Sequence, residues 1–386
     1  MAWKGTLVEI PLAIASRIAA PWGGMPASPR EILVIRPNDL GDLLTTTPAF
    51  AALRRRFPSS RIIAAVGSWG SPVLLNNPNV DEVVELDAPW NNKFVADQSW
   101  PAIARFLWKS GQVQSLRRRG GFDIGIDVLG SHVGSLLMMR LGVRYRVGVR
   151  GYRGGWTACQ RHVRFSSAVH VAQAALDQAA LLGATEMPAA IPQLFLSASE
   201  RAEAERMWGA RTPGIARLIV GVGGGLQEKC WPAERMADAL LRLTQPVDAP
   251  PVQALLVGGA GDVERGARIA ALAGGAVKSV CGATTLRSTF ALCGAADACL
   301  TNASMLFHAA AAFRKPTVVV LGGLNSSSDS HDRLWGYPAP YRSIAPASAE
   351  ERASGWPSAH AGEEPARGGA RTIARDRARA LQRRRR

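Results

Sequence analysis

The sequence predicts an α/β protein made of two strand–helix domains, and three observations carry that prediction. Short apolar runs end abruptly at proline, asparagine or glycine, the pattern of strands buried on both faces of a parallel sheet. After the runs, apolar residues recur at helical spacing, so strands alternate with helices. Around residues 212–214 (Thr-Pro-Gly) the alternation pauses and then starts afresh, which marks a boundary between domains.

The chain opens on an apolar stretch, residues 7–20, that Glu9, Pro11 and Arg17 interrupt. It is too short and too polar for a membrane span. With Lys4 as the only early cation and no clear cleavage site, it does not read as a signal peptide either. Residues 1–29 are therefore expected to be a disordered leader, with a short interfacial anchor as the alternative.

The rest of the chain is organised around residues 32–48 (ILVIRPNDLGDLLTTTP). Ile32 to Ile35 form a buried strand, Pro37, Asn38 and Gly41 turn the chain, and Leu43, Leu44, Phe50, Leu53 and Phe57 set a helical period. The helix starts near Asp42 and kinks at Pro48, or else Thr47 caps it and Pro48 is its first residue. Asp42 lies at the carboxyl end of the strand, where open α/β sheets bind ligands. As a lone aspartate it reads first as a helix cap.

Further strands are expected at residues 61–67, 80–86 and 122–129, with a short helix and turn at 72–78 and a mainly helical stretch at 91–119 that places Trp100 and Trp108 at a surface or a cleft. Gly130, Ser131 and His132 begin the loop after the strand at 122–129, so Ser131 and His132 are candidates for substrate contact as well as for capping. A strand at 144–149 and a helix after His170 complete this part of the pattern. Residues 194–196 read as a strand, with a charged helix leading to the pause at 212–214, and residues 197–214 are the expected hinge. The second domain has strands at 218–222, 254–259, 277–282, 298–301 and 317–321. Its glycine-rich loop, residues 221–225, has neither the spacing of a dinucleotide loop nor that of a P-loop. Pro232 suits the first position of the next helix. Ligand residues at strand ends in both domains imply a cleft between them.

Composition narrows the partners. Hydrophobic residues make up 47% of the 386 and charged residues 20%, ordinary for a globular chain, but the formal net charge is +16. Such a charge favours anionic partners: phosphorylated substrates, acidic lipid or nucleic acid. Much of it is local, since residues 367–386 hold nine arginines and one acid, Asp376. Residues 342–386 are poor in large apolar side chains and are expected to be disordered. Nothing resembles a nucleic-acid recognition motif. The five cysteines have no CxxC or metal spacing, so reduced thiols in the cytoplasm are expected.

The run Arg36-Pro37-Asn38-Asp39-Leu40-Gly41-Asp42, followed by Thr-Thr-Thr-Pro48 and a helix ending at Phe57-Pro58, resembles the opening of the heptosyltransferase-type glycosyltransferases. Lys229 before Trp231-Pro232 resembles that family's phosphate-holding lysine, and Asn302, Ser304 and His308 fit its Asn-Asp-Ser-Gly-x-x-His frame. Ala303 and Met305 depart from that frame, Ala303 replacing the acid. The resemblance runs, with gaps, to about residue 335. It implies the GT-B architecture, two Rossmann-like domains facing a cleft: residues 30–196 on the acceptor side and 215–341 on the donor side. It also implies inverting, metal-independent transfer of heptose or a related sugar from a nucleotide-diphosphate sugar, with ADP-heptose the expected co-substrate and no cofactor. The acceptor would be a lipopolysaccharide core or lipid-linked glycan, at the inner face of the cytoplasmic membrane. Asp42 would be the catalytic base, Lys229, Asn302, Ser304 and His308 the donor contacts, and Asn38, Ser131 and His132 the acceptor-side contacts. The alternatives are a nucleotide-sugar binder that has lost catalysis, suggested by Ala303, and a basic nucleic-acid-binding protein.

Overall fold

The computed structural model describes residues 2–18, 21–247, 249–322 and 327–346. The chain divides into two compact units, Met1–Phe195 and Leu196–Arg386.

The first unit holds α1 (Ala2–Ile18), β1 (Glu31–Ile35), α2 (Leu40–Arg56), β2 (Arg61–Val66), α3 (Ser71–Leu74), β3 (Glu82–Glu85), α4 (Trp100–Lys109), α5 (Gly111–Arg119), β4 (Ile124–Asp127), α6 (His132–Arg140), β5 (Tyr145–Arg150), β6 (Arg161–Arg164) and α7 (Val171–Ala180). Its six strands lie in the order β3-β2-β1-β4-β5-β6, all parallel. The order reverses between β1 and β4, so the crevice outside the carboxyl ends of those two strands is the topological switch point. In β1 the residues Ile32 to Ile35 are all buried, as a central parallel strand requires. Leu33 and Ile35 join Ile63, Leu107, Phe122 and Leu137 in the core.

α2 begins at Leu40, which settles its start in favour of the Asp42 alternative and leaves Pro48 inside the helix. Proline has no N–H to give the carbonyl four residues back. Here the Thr47 hydroxyl fills that vacancy, donating to the Leu44 carbonyl at 2.7 Å. The helix therefore tolerates its proline because of the residue beside it.

The second unit holds α8 (Ala198–Trp208), β7 (Ala216–Gly221), α9 (Ala233–Thr244), β8 (Val252–Val257), α10 (Val263–Ala273), β9 (Val277–Ser279), α11 (Leu286–Ala295), β10 (Ala298–Asn302), α12 (Met305–Ala312), β11 (Thr317–Val320), α13 (Ser328–Trp335) and β12 (Tyr341–Ile344). The strand order β12-β11-β10-β7-β8-β9 repeats the topology of the first unit, again wholly parallel, with its switch point between β7 and β10. Leu218, Val220, Met236, Leu240, Leu256 and Ile269 form its core. Both units are thus Rossmann-like, as expected.

Four expectations change. The leader is a helix rather than disordered, because α1 has buried polar anchors far along the chain. Residues 194–196 form no strand, since the neighbouring prolines leave them in extended coil outside both sheets. Most of the expected hinge is α8, which packs on α11 and belongs to the second unit. Arg342, placed at the start of the disordered tail, instead lies in β12, where Tyr341 to Ile344 pair with Thr317 to Val320. The rest of the tail, from residue 347, lies outside the described residues. Among the described residues no helix is long and apolar enough to cross a membrane.

Candidate active site

In the first unit the switch point collects two carboxylates around one guanidinium. Asp42 sits in the first turn of α2 with its side chain 27% exposed, while Arg36, one residue beyond β1, is 4% exposed. Arg36 Nη2 donates to Asp42 Oδ1 at 3.1 Å and Nε to the Asp42 carbonyl at 3.4 Å. Thr45 and Thr46 hydroxyls donate to the same carbonyl at 2.8 and 2.9 Å. The guanidinium fixes the carboxylate's direction. One carboxylate oxygen is left outside that ion pair.

Asp127 ends β4 beside this pair and is fully buried. Burial pushes its carboxyl up, against the N–H groups of Ser131 and Gly130 and the charge of Arg36, which pull it down. Ser131 N donates to Asp127 Oδ2 at 2.7 Å, and the Ser131 hydroxyl donates to the same oxygen at 3.2 Å. Ser131 Oγ also accepts from Gly134 N at 2.9 Å, so it is the cap of α6. A methyl group on Gly134 would fall 2.0 Å from Asp127 Oδ2, so only glycine fits there.

Asn38 is 2% exposed and ties the turn to a second loop. Its amide donates to the Asn91 carbonyl at 2.8 Å, and its own carbonyl accepts from Trp69 Nε1 at 2.9 Å. Its side-chain oxygen is buried and has no hydrogen-bond partner among the described residues. Trp69 stacks on Phe94 with centroids 4.6 Å apart, and Lys93 N donates to Asp39 Oδ1 at 3.2 Å. His132 stands 3.1 Å from a carboxylate oxygen of Glu9 on α1.

In the second unit Asn302, at the end of β10, is fully buried. Its oxygen accepts from Trp231 N at 2.9 Å, and its amide reaches the carbonyls of Gly221, Val222 and Gly223 at 3.0–3.3 Å. It is the strut that pins the glycine-rich loop to the turn carrying Lys229. The backbone of Gly322 closes on that turn, where a methyl group would lie 2.6 Å from Lys229 Cα. Lys229 itself is half-buried, in the 3-10 turn Gln227–Lys229. Ser304 precedes α12 and makes no side-chain cap, which leaves the first N–H groups of that helix facing outward from the strand end. His308 is 4% exposed, with Nδ1 2.5 Å from the Tyr337 hydroxyl. Ala303, like Trp335, Tyr337 and Tyr341, packs against the buried cluster of Phe307, Val319 and Leu321, so an apolar wall stands where the resemblance places an acid. Among the described residues no group of three or more His, Cys, Asp or Glu side chains could hold a metal.

Sequence comparison supplies the family. Glycosyltransferase family 9 (heptosyltransferase) matches residues 112–329, more than half of the chain. The chain belongs to this glycosyltransferase family. It is 25% identical over 315 residues to lipopolysaccharide heptosyltransferase 2 of Escherichia coli (strain K12), covering 76% of this chain and 82% of that protein. The Salmonella typhimurium protein of the same name is 24% identical over 315 residues, with the same coverage. Among solved structures, E. coli ADP-heptose lps heptosyltransferase II has a TM-score of 0.67 at 21% identity, over 89% of this chain and 97% of that one. A family 9 glycosyltransferase of Veillonella parvula also has a TM-score of 0.67, at 19% identity, over 86% and 89%. These structures share the fold.

Within the family 9 chain, the first-unit candidates Asp42, Asn38, Ser131 and His132 gather at one switch point, and Lys229, Asn302, Ser304 and His308 at the other. Sequence reading missed Arg36 and Asp127. Arg36 carried a signal, an arginine directly after a buried strand and six residues before Asp42. Asp127 carried one too, as an acid closing an apolar run. Trp69, Phe94 and Glu9 carried none, because their partners are remote in the chain.

Proposed function

We propose that this glycosyltransferase moves heptose from a nucleotide-diphosphate sugar, ADP-heptose, to a lipopolysaccharide core acceptor with inversion at the anomeric carbon. The observation that carries the reading is Asp42, a carboxylate at the β1–β4 switch point, oriented by Arg36 through one oxygen. In this reading the other oxygen takes the proton of the acceptor hydroxyl while that hydroxyl's oxygen bonds to the anomeric carbon. The bond from that carbon to the diphosphate breaks on the opposite face, and the nucleoside diphosphate leaves with the electron pair. Its charge is met by Lys229 and by the N–H groups that open α12, preorganised donors that need no rearrangement as the charge develops. Asn38, which ties the turn after β1 to Asn91 and Trp69, is the acceptor-side residue on that turn. Ser131 and His132 act one step back, through the α6 cap and the Glu9 pair. Asn302 and His308 likewise shape the donor loop and the wall beside it. The lysine and the helix take the part a divalent ion plays elsewhere, so EDTA is expected to leave the rate unchanged.

The test is Asp42→Asn. Asparagine keeps the oxygen that Arg36 binds and the place in the first turn, and removes only the proton acceptor. Transfer is expected to fall by roughly 10²–10⁴-fold, with donor affinity and melting temperature unchanged. A rate within a few-fold of the parent would end the proposal. Ala303, packed against the cluster of Phe307, Val319 and Leu321 where the resemblance places an acid, supports one second reading, a nucleotide-sugar binder without turnover. Donor binding with no transfer to any core acceptor would decide for it.

A further inference from the structure

We propose that α1 and the arginine-rich loop it packs on form a docking surface for an anionic lipid bilayer. The inference builds on the lipid-borne acceptor proposed above, yet it is measured without donor, acceptor or turnover, so either can fail alone.

α1 is held rigidly by polar groups on its inner face, where Glu9, Leu12 and Ser16 are buried. The Glu9 carboxylate accepts from Gly155 N at 2.6 Å, Thr157 N at 3.2 Å and the Thr157 hydroxyl at 2.5 Å, and lies 3.1 Å from His132 Nε2. Burial pushes this carboxyl up, but His132 and the Thr157 and Gly155 donors outweigh it and bring it down to about 2. At the other end the buried guanidinium of Arg146 donates to the carbonyls of Ser16 and Pro21 at 3.3 and 2.8 Å, a cation at a helix C-terminus. Both clasps fix the rotation of the helix.

That rotation sends Ile10, Ile14 and Ile18 outward, 61%, 55% and 80% exposed, one above the next at i, i+4 and i+8. A rigid row of exposed isoleucines is surface that water disfavours and a cover would relieve. Charge identifies the cover. Glu9 is the only acid in residues 1–30, and it is buried. Between Asp127 and Asp177 the chain has no acid at all, while Arg150, Arg153, Arg161 and Arg164 are exposed there. In the same segment Tyr152 and Phe165 are exposed and in ring contact at 4.7 Å, and Trp22 lies under Arg17 at 4.5 Å. Aliphatic side chains to enter the acyl boundary, rings for the interface and arginines for phosphate headgroups together match an anionic bilayer. A second copy of the chain would bring the same positive face against itself.

The test is co-sedimentation of the full chain with vesicles of phosphatidylcholine, alone or mixed with phosphatidylglycerol. Binding is expected only with phosphatidylglycerol, and Ile10→Ser/Ile14→Ser/Ile18→Ser is expected to weaken it by roughly 10- to 100-fold at an unchanged melting temperature. In the unmodified chain, hydrogen exchange in residues 8–18 is expected to slow on those vesicles, a readout free of any substitution. Equal vesicle binding by the triple variant would overturn the proposal and pass the role to the arginine tail. So would a dimer in light scattering that the variant abolishes, which would make a second copy the occupant.

Discussion

Thr47 and Pro48 show how single side chains decide whether the helix carrying Asp42 is stable. The Leu44 carbonyl has one donor, the Thr47 hydroxyl, and that hydroxyl also accepts from Gln193 N at 2.7 Å. Thr47→Val therefore takes the partner from one buried and one part-buried backbone group, and is expected to cost about 2–3 kcal/mol. Thr45→Val removes one of three side-chain donors to the Asp42 carbonyl, and the remaining Thr46 and Arg36 limit its cost to about 1 kcal/mol. Urea unfolding of the two variants checks the difference, and equal costs would mean that the proline's missing donor does not matter here. In the sequence the same threonines read as part of a resemblance and, for Thr47, as an alternative cap. Their physical meaning needed the proline's place inside the helix.

α8 is where charge, capping and tertiary packing meet. Ser197 and Glu200 form a capping box, and Glu200 also binds Arg287 of α11 at 2.6 and 2.7 Å. Arg287 pulls the Glu200 carboxyl down to about 2, over the opposing effect of burial, with the Ser197 N–H helping. A carboxyl lowered on folding stabilises the protein at pH values above its usual 4.5 and loses that contribution as pH falls towards 2. Glu200→Gln is therefore expected to lower the melting temperature at pH 7, and the gap from the parent to shrink between pH 4.5 and 2. A gap that is constant with pH would assign the stabilisation to packing alone. The sequence shows this helix clearly, through its charges, but assigns it to a hinge. Its docking on α11 depends on Arg287, 87 residues away, and no local pattern reveals such a partner.

Across the chain, what was readable obeys one rule. Elements fixed by neighbours in sequence were visible, as with the β1–α2 turn, the glycine-rich loop and the start of α12. Elements fixed by distant partners were not: α1 depends on Gly155 and Thr157, and β12 on pairing with β11 despite a polar sequence around it. The sequence names Asp42 and Ser131 as candidates, whereas the groups that orient them, Arg36 for Asp42 and Asp127 for Ser131, emerge only in three dimensions. Each unit carries its own sheet, core and switch point, and this duplication makes a prediction about division of labour. Donor affinity should reside in the second unit and proton abstraction in the first. Lys229→Ala is expected to weaken ADP binding by about 1.5–3 kcal/mol, roughly 10- to 100-fold in Kd, as the loss of a charged hydrogen bond does. Melting should be unaffected, since Lys229 is half-buried and the turn is held by Asn302 and Gly322 through backbone contacts. Asp42→Asn, by contrast, should bind ADP as tightly as the parent. Titration calorimetry of both variants measures the two affinities directly. Unchanged ADP affinity in Lys229→Ala would remove the lysine from the donor site, and weakened affinity in Asp42→Asn would show that the carboxylate contributes to nucleotide binding as well as to chemistry.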